Sequence, residues 1–245
     1  MQQIVNKVAF VSGGSRGIGA SIVRKLSAMG AKVVFTYANS ADKAEALIRS
    51  LAPGAEALAV QADNTKEGAI TQAMEQALEK YGQIDILVNN AGVYIGDDIT
   101  AHTMADYRKV MAVNVDAVVA SVLFAAKHLT DGGRIITIGS NMADRVVMQR
   151  GTFYAMSKSA LIGLTKGLAR DLGSRSITVN LVQPGPTDTD MNPADGVHAE
   201  GMRQMMAIPV FGDPNDIAAL VGFLASDEGK FMTGTAITAD GGFNA

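Results

Sequence analysis

The feature that most limits what this chain can fold into is a rhythm: short apolar runs recur along it, with helix-like stretches between them. Candidate strands are KVAFV (7–11), KVVFTY (32–37), EALAVQ (56–61), IDILVNN (84–90), GRIITIGS (133–140), SITVNLVQ (176–183) and TAITADG (235–241). Segments such as GASIVRKLSAMG and GAITQAMEQALEKYG separate them, with apolar residues at three and four spacing. Strands alternating with helices need right-handed crossovers, which lay helices over both faces of a parallel sheet. The pattern predicts a doubly wound α/β fold of about seven strands. No linker or repeat divides residues 1–245, so one domain is expected; only 186–212, rich in Pro, Gly and Met, break the rhythm, and within them 188–208 are expected to form an inserted lid.

The stretch VSGGSRGIGA (11–20) joins the first run to the first helix. Gly13, Gly17 and Gly19 fall where a tight turn, close backbone approach and helix packing each need a missing side chain, with Ser15, Arg16 and Ile18 between them. A helix N-terminus there can hold a pyrophosphate, which predicts a Rossmann-type nucleotide site. The spacing is Gly, three residues, Gly, one residue, Gly, and not the usual G-x-G-x-x-G. Rossmann domains that prefer NAD place Asp or Glu at the end of strand 2, on the ribose 2′-hydroxyl. Here FTYANSADK offers Tyr37, Asn39 and Ser40, and the first acid, Asp42, already lies in the next helix. With Arg16 supplying positive charge beside the same ribose, a 2′-phosphate would be accommodated, so NADP(H) is expected over NAD(H).

Composition narrows the chemistry. The chain has 245 residues, 48% of them apolar, which is ample for a buried core. Its net charge is −3, and the basic residues are scattered and form no stripe suited to a phosphate backbone, so no nucleic-acid partner is expected. There is no cysteine, which excludes disulfides, thiolate nucleophiles and Cys-ligated zinc. His102, His128 and His198 show no ligand spacing, and no metal site is expected. The N-terminal apolar run is too short for a secretory segment, and the longest apolar stretch, 117–126, falls well below the ~20 residues of a membrane span. A cytoplasmic protein without membrane association is the expectation.

In GTFYAMSKSA (151–160), Tyr154 precedes Lys158 by four residues, so one helical turn brings phenol and ammonium to the same face. Many helices carry such a pair by coincidence; the rest of the chain decides its meaning. Together SGGSRGIG (12–19), NNAG (89–92), Asn114 in VMAVNVDA, Ser140 in IITIGS, YAMSK (154–158) and QPGPTDTDM (183–191) resemble the short-chain dehydrogenase/reductase family in its single-domain branch, and are most similar to the bacterial 3-oxoacyl-acyl-carrier-protein reductases and related ketoreductases. Ser12 stands where Thr is commoner and keeps the hydroxyl.

The resemblance implies hydride exchange between nicotinamide and a carbonyl or secondary alcohol. Tyr154 would act as acid in reduction and base in oxidation, with Lys158 lowering its pKa from about 10 and bonding the nicotinamide ribose. Ser140 would hydrogen-bond the carbonyl oxygen, and Asn114 would hold a water linking Lys158 to solvent. Asp63 and Asn64 would meet the adenine and Asn90 the adenosine ribose side, with Thr187 and Thr189 at the carboxamide and diphosphate; Gly92, Pro184 and Gly185 complete the set. A homotetramer is implied, with the Tyr154 helix and the C-terminal strand and tail at twofold interfaces.

Substrate identity is less constrained. Carrier-protein reductases of this type present two basic residues at the site mouth. Arg175 matches one, while Asp131 occupies the place of the other, which argues against a carrier protein and for a small ketone or aldehyde. Met142, Val147 and Met148 either line an apolar pocket or pack against the lid. FTYANS and VQPGPTDTDMNPADG also resemble a bacterial subgroup of the family associated with biofilm dispersal and cyclic-di-GMP binding, which offers a nucleotide-binding regulator as the alternative.

Overall fold

The computed structural model describes residues 3–245. Its strands β1 (Val8–Val11), β2 (Lys32–Tyr37), β3 (Ala57–Gln61), β4 (Ile84–Asn89), β5 (Leu129–Ile138), β6 (Thr178–Pro184) and β7 (Ala236–Ala239) form one sheet in the order β3-β2-β1-β4-β5-β6-β7. Every neighbouring pair is parallel. The chain lays β2 and β3 to one side of β1, then returns to place β4 on the other. That reversal opens a crevice beyond the carboxyl ends of β1 and β4.

Alternation along the strands feeds two cores. Ala9, Val11, Val33 and Phe35 face α1 (Gly17–Ala28), α2 (Ala41–Ser50) and α8 (Pro214–Ala225), from which Ile22, Leu26, Leu47, Val221 and Leu224 pack inward. Phe10, Val34, Leu87 and Ile135 face the opposite way, onto α3 (Ala69–Tyr81), α5 (Ala117–His128) and α6 (Thr152–Leu172), which contribute Met74, Val122 and Leu172. Both faces being covered explains why the strands read as continuous apolar runs.

Helix α4 (Met104–Met111) starts at a capping box between Thr103 and Asp106, and continues through a π turn, Ala112–Asp116, into α5. Met104–His128 thereby becomes one 25-residue helix that is long and apolar enough to cross a membrane, which the apolar run at 117–126 alone is not. Its apolarity has a local use: Val118, Val122 and Ala125 are buried, and α5 packs on α3, β4 and β5.

The segment expected as a lid begins with bridges from Thr187 to Gly212 and from Thr189 to Asn192, and carries the short helix α7 (Ala199–Gln204). Its methionine stripe divides. Met206 is buried, Met202 lines the cleft below it and Met205 is exposed.

Candidate active site

A single cleft of about 810 Å³ occupies the crevice at the strand-order reversal. Gly13, Ser15, Arg16, Gly17, Ile18 and Gly19 line it from the first loop, Tyr37, Asn39 and Ser40 from the end of β2, and Asp63 and Asn64 from beyond β3. Asn90 and Gly92 follow β4, Ser140 follows β5, Tyr154 and Lys158 come from α6, and Pro184, Gly185, Thr187 and Thr189 from the end of β6. Of the residues expected from the sequence, Asn114 alone stands behind the wall.

The glycine loop has the shape a diphosphate needs. Gly13 and Gly17 adopt φ of 67° and 52°, in the left-handed region. A Cβ on Gly19 would lie 2.2 Å from the Gly13 carbonyl oxygen, so the helix can approach its own loop only at glycine. The N-cap residue Arg16 makes no side-chain cap, and Gly17, Ile18 and Gly19 of the first turn of α1 line the cleft. Thr36 fastens the loop by accepting a 3.0 Å bond from the Gly13 N–H at its hydroxyl. The side chain of Asn90 has the same duty: its amide donates to the carbonyls of Ser12 and Gly13 at 3.1 and 2.9 Å. Asn90 thus lines the cleft while its amide donors brace the loop.

The reacting end gathers on α6. Ser140 leaves β5, receives the Met142 N–H at 3.2 Å, and lines the cleft with Tyr154. Lys158 is buried and donates to the Ile138 carbonyl at 2.8 Å; its Nζ lies 5.7 Å from the centre of the Tyr154 ring. Burial pushes Lys158 down to about 8, because an ammonium is poorly solvated there. It also pushes Tyr154 up, the Ser140 side chain opposing it and the neighbouring Tyr94 adding to it. In the protein alone the direction is thus opposite to the lowering expected from Lys158: burial raises Tyr154, and Lys158 spends its hydrogen bond on the Ile138 carbonyl.

Asn114 sits in the π turn, an irregularity that re-aims one side chain out of the helical register. Its Oδ1 accepts from the Val93 N–H at 2.9 Å, and its Nδ2 donates to the Val93 carbonyl and the Ser157 hydroxyl, both at 3.0 Å. Ser157 in turn donates to the Tyr154 carbonyl at 2.7 Å. Asn114 therefore clamps the NNAG loop to the helix bearing Tyr154 and Lys158.

Several participants were missed from the sequence. Ser157 is three residues from Tyr154 on α6, the spacing that could have signalled it. Tyr94 packs its ring edge-on against Tyr154, with centres 5.3 Å apart, and its hydroxyl donates to the Arg150 carbonyl at 3.1 Å. Phe243 reaches the cleft from the C-terminal tail, where Arg145 holds its carbonyl at 3.0 Å. Lys43 bonds Asp190 at 2.7 Å beside Arg16. Met142, Val147 and Met148, left between two readings by the sequence, all face the cleft.

Residues 13–244 match the family model described as Enoyl-(Acyl carrier protein) reductase. A short-chain dehydrogenase/reductase from Serratia marcescens superposes with a TM-score of 0.97 at 50% identity, each chain covered in full. The chain belongs to the short-chain dehydrogenase/reductase family. Within the family, a short chain dehydrogenase from Burkholderia cenocepacia, solved in complex with NADP, superposes with a TM-score of 0.98 at 48% identity over all of both chains. The cyclic-di-GMP-binding biofilm dispersal mediator protein of Escherichia coli K12 is 41% identical over the full length of both chains. As a member of this oxidoreductase family, the chain carries its Ser140, Tyr154 and Lys158 on the cleft in the arrangement described above.

Proposed function

We propose that this protein is an NADP(H)-dependent ketoreductase of the cytoplasm acting on a small, uncharged carbonyl compound. The observation that carries the reading is the convergence of Ser140, Tyr154 and Lys158 on the same cleft as the glycine loop. The loop from Gly13 to Gly19 and the open end of α1 would hold the diphosphate, Tyr37, Asn39, Ser40, Asp63 and Asn64 the adenosine, and Pro184, Gly185, Thr187 and Thr189 the nicotinamide end. Bound there, the nicotinamide supplies hydride to a carbonyl carbon.

The protein's own part concerns the oxygen and its proton. Ser140 and Tyr154, both lining the cleft, present two hydroxyls to one carbonyl oxygen. A phenol whose pKa is raised stays protonated at neutral pH, and so is ready to give its proton to that oxygen as charge develops. Lys158 as ammonium then faces the phenolate left behind. Asn114 acts as a positioning residue, since its contacts are with Val93 and Ser157. Tyr94, Met142, Val147, Met148 and Met202 give the substrate end apolar walls, which favours an uncharged ketone.

A carrier-protein substrate loses support. Arg175, the one matching basic residue, donates to Asp131 at 2.7 Å and caps α5 through the carbonyls of Ala126 and Leu129. Binding of a cyclic dinucleotide is the second reading, favoured by the Escherichia coli relative. Consumption of NADPH with a panel of uncharged ketones, set beside calorimetry with cyclic-di-GMP, separates the two. Turnover is expected; heat of binding for cyclic-di-GMP with no turnover on any ketone would favour the regulator.

A further inference from the structure

The turn that follows β5 is tied down by the C-terminal tail. Ser140 enters the turn in extended backbone, and Asn141–Ala143 close it as a short 3-10 helix. Asn141 is buried, and its carbonyl accepts the Asp144 and Arg145 N–H groups at 3.1 and 3.2 Å from within the same loop. A third donor reaches that carbonyl from outside: Asn244 Nδ2, at 2.8 Å. Asn141 returns the contact, its own Nδ2 lying 3.4 Å from both Asn244 Oδ1 and Asp240 Oδ2.

Asp240 gives the tail the shape that brings Asn244 there. It follows β7, and its carboxylate accepts the N–H groups of Gly242 and Asn244 at 2.9 and 3.0 Å, which folds the chain back on itself. The reversal takes glycine at 241 and 242, where φ is 62° and 76°. Arg145 then holds the tail from the other side, donating to the Phe243 carbonyl at 3.0 Å.

We propose that Asn244 is a positioning residue for Ser140, acting through the peptide unit that joins Asn141 to Met142. The assignment rests on the reading of the cleft as a ketoreductase site. That peptide unit is planar, so its carbonyl and its N–H move as one body. Asn244 holds the carbonyl, and the N–H, from Met142, donates to Ser140 Oγ at 3.2 Å. With this N–H on the oxygen, the hydroxyl keeps its own proton for the carbonyl oxygen of a substrate in the cleft. The three bonds run in one direction, from amide to peptide to hydroxyl to substrate, and each polarises the next. One side chain therefore fixes where Ser140 stands and makes its O–H a better donor as charge develops. Neither Asn244 nor Asp240 lines the cleft, so the effect falls on the reacting oxygen and not on the hold on cofactor.

The test is made on Asn244→Ala and the nearly isosteric Asn244→Leu, each in the wild-type and in the Ser140→Ala background. Steady-state kinetics use NADPH and a panel of uncharged ketones, and calorimetry gives the Kd for NADPH. In the wild-type background both variants are expected to lower kcat about tenfold, with KM for ketone and Kd for NADPH within about twofold. Loss of a single donor to the reacting oxygen costs about 10²–10³ in kcat, so Ser140→Ala keeps a measurable rate. There the Asn244 substitutions are expected to change kcat by less than about twofold, since the group they act on is gone. An equal loss in both backgrounds, or loss of NADPH binding by both variants, would make Asn244 a structural peg for the tail and overturn the proposal. So would an unchanged kcat in Asn244→Leu. Failure of the wild-type protein to reduce any ketone would instead remove the ketoreductase reading, and this role with it.

Discussion

Tyr154 and Lys158 stand one turn apart on α6, yet their environments push their pKa values in opposite directions. The phenol is raised by burial, and the ammonium is lowered to about 8 by the same cause. In reduction the proton donor must be protonated and the neighbouring cation charged. The kcat/KM for reduction, measured with saturating NADPH, should therefore hold level at neutral pH and fall as pH rises through about 8. Lys158→Met should lack that descending limb, and a wild-type profile level across the range would detach Lys158 from the rate. The same shift acts on folding. Between about 8 and the ordinary lysine value of 10.5, the unfolded chain binds the proton that the folded chain has lost, so stability rises with pH across that window. The pair itself was legible because spacing and family motifs both point to it. Its electrostatics were not, since they depend on how deeply α6 seats Lys158 beneath Ile138. Ser157 escaped notice for a similar reason: a buried serine in a helix reads as filler until its partners, Asn114 and the Tyr154 carbonyl, are seen.

Among the elements, the turn from β1 to α1 is fixed most tightly. Gly19→Ala would place a methyl group 2.2 Å from the Gly13 oxygen and 2.5 Å from Asn90 Nδ2, and the first of these is backbone that cannot swing aside. Chemical denaturation should show a loss of about 1–3 kcal/mol, the range for forcing an extra carbon into a packed site, together with lost NADPH binding. Unchanged stability and affinity would mean that the turn relaxes freely. This element was legible in full, because only glycine meets its demands and glycine leaves a visible mark in the sequence. The segment 188–208 was legible only as an interruption. Its bridges, Thr187 to Gly212 and Thr189 to Asn192, lie near one end, while Val197 further along is 95% exposed. Hydrogen exchange with and without NADPH should show residues 188–208 gaining protection when the cofactor binds, with Gly196 and Gly201 as hinges. Strong and equal protection in both states would make the segment a fixed wall. The merging of α4 and α5 through a π turn left no sequence mark, since a register change of one residue alters no residue type; its consequence is the inward aim of Asn114.

At the scale of the molecule, a parallel sheet of seven strands covered on both faces follows from the apolar rhythm, whereas the strand order and assembly do not. A homotetramer is expected from the family resemblance, and exposed apolar side chains such as Phe231 and Leu123, at 99 and 61%, suit subunit contacts. Light scattering at micromolar concentration should report about four times the chain mass of 25.5 kDa, and a monomer would refute the expectation. The tail lies closer to the chemistry than its terminal position suggests: Asn244 donates to the Asn141 carbonyl at 2.8 Å, next to Ser140, and Phe243 lines the cleft. The central claim, that this cleft transfers hydride to a carbonyl with Tyr154 as proton donor, has one direct measurement. The protein and its Tyr154→Phe variant are given NADPH deuterated at nicotinamide C4 and a panel of uncharged ketones, and the alcohols are analysed by mass spectrometry. The account predicts a deuterium at the carbinol carbon with the wild-type protein, and at least about a hundredfold less alcohol with the variant despite near-normal NADPH binding. No alcohol from any ketone, or more than about a tenth of the wild-type yield from the variant, would contradict it.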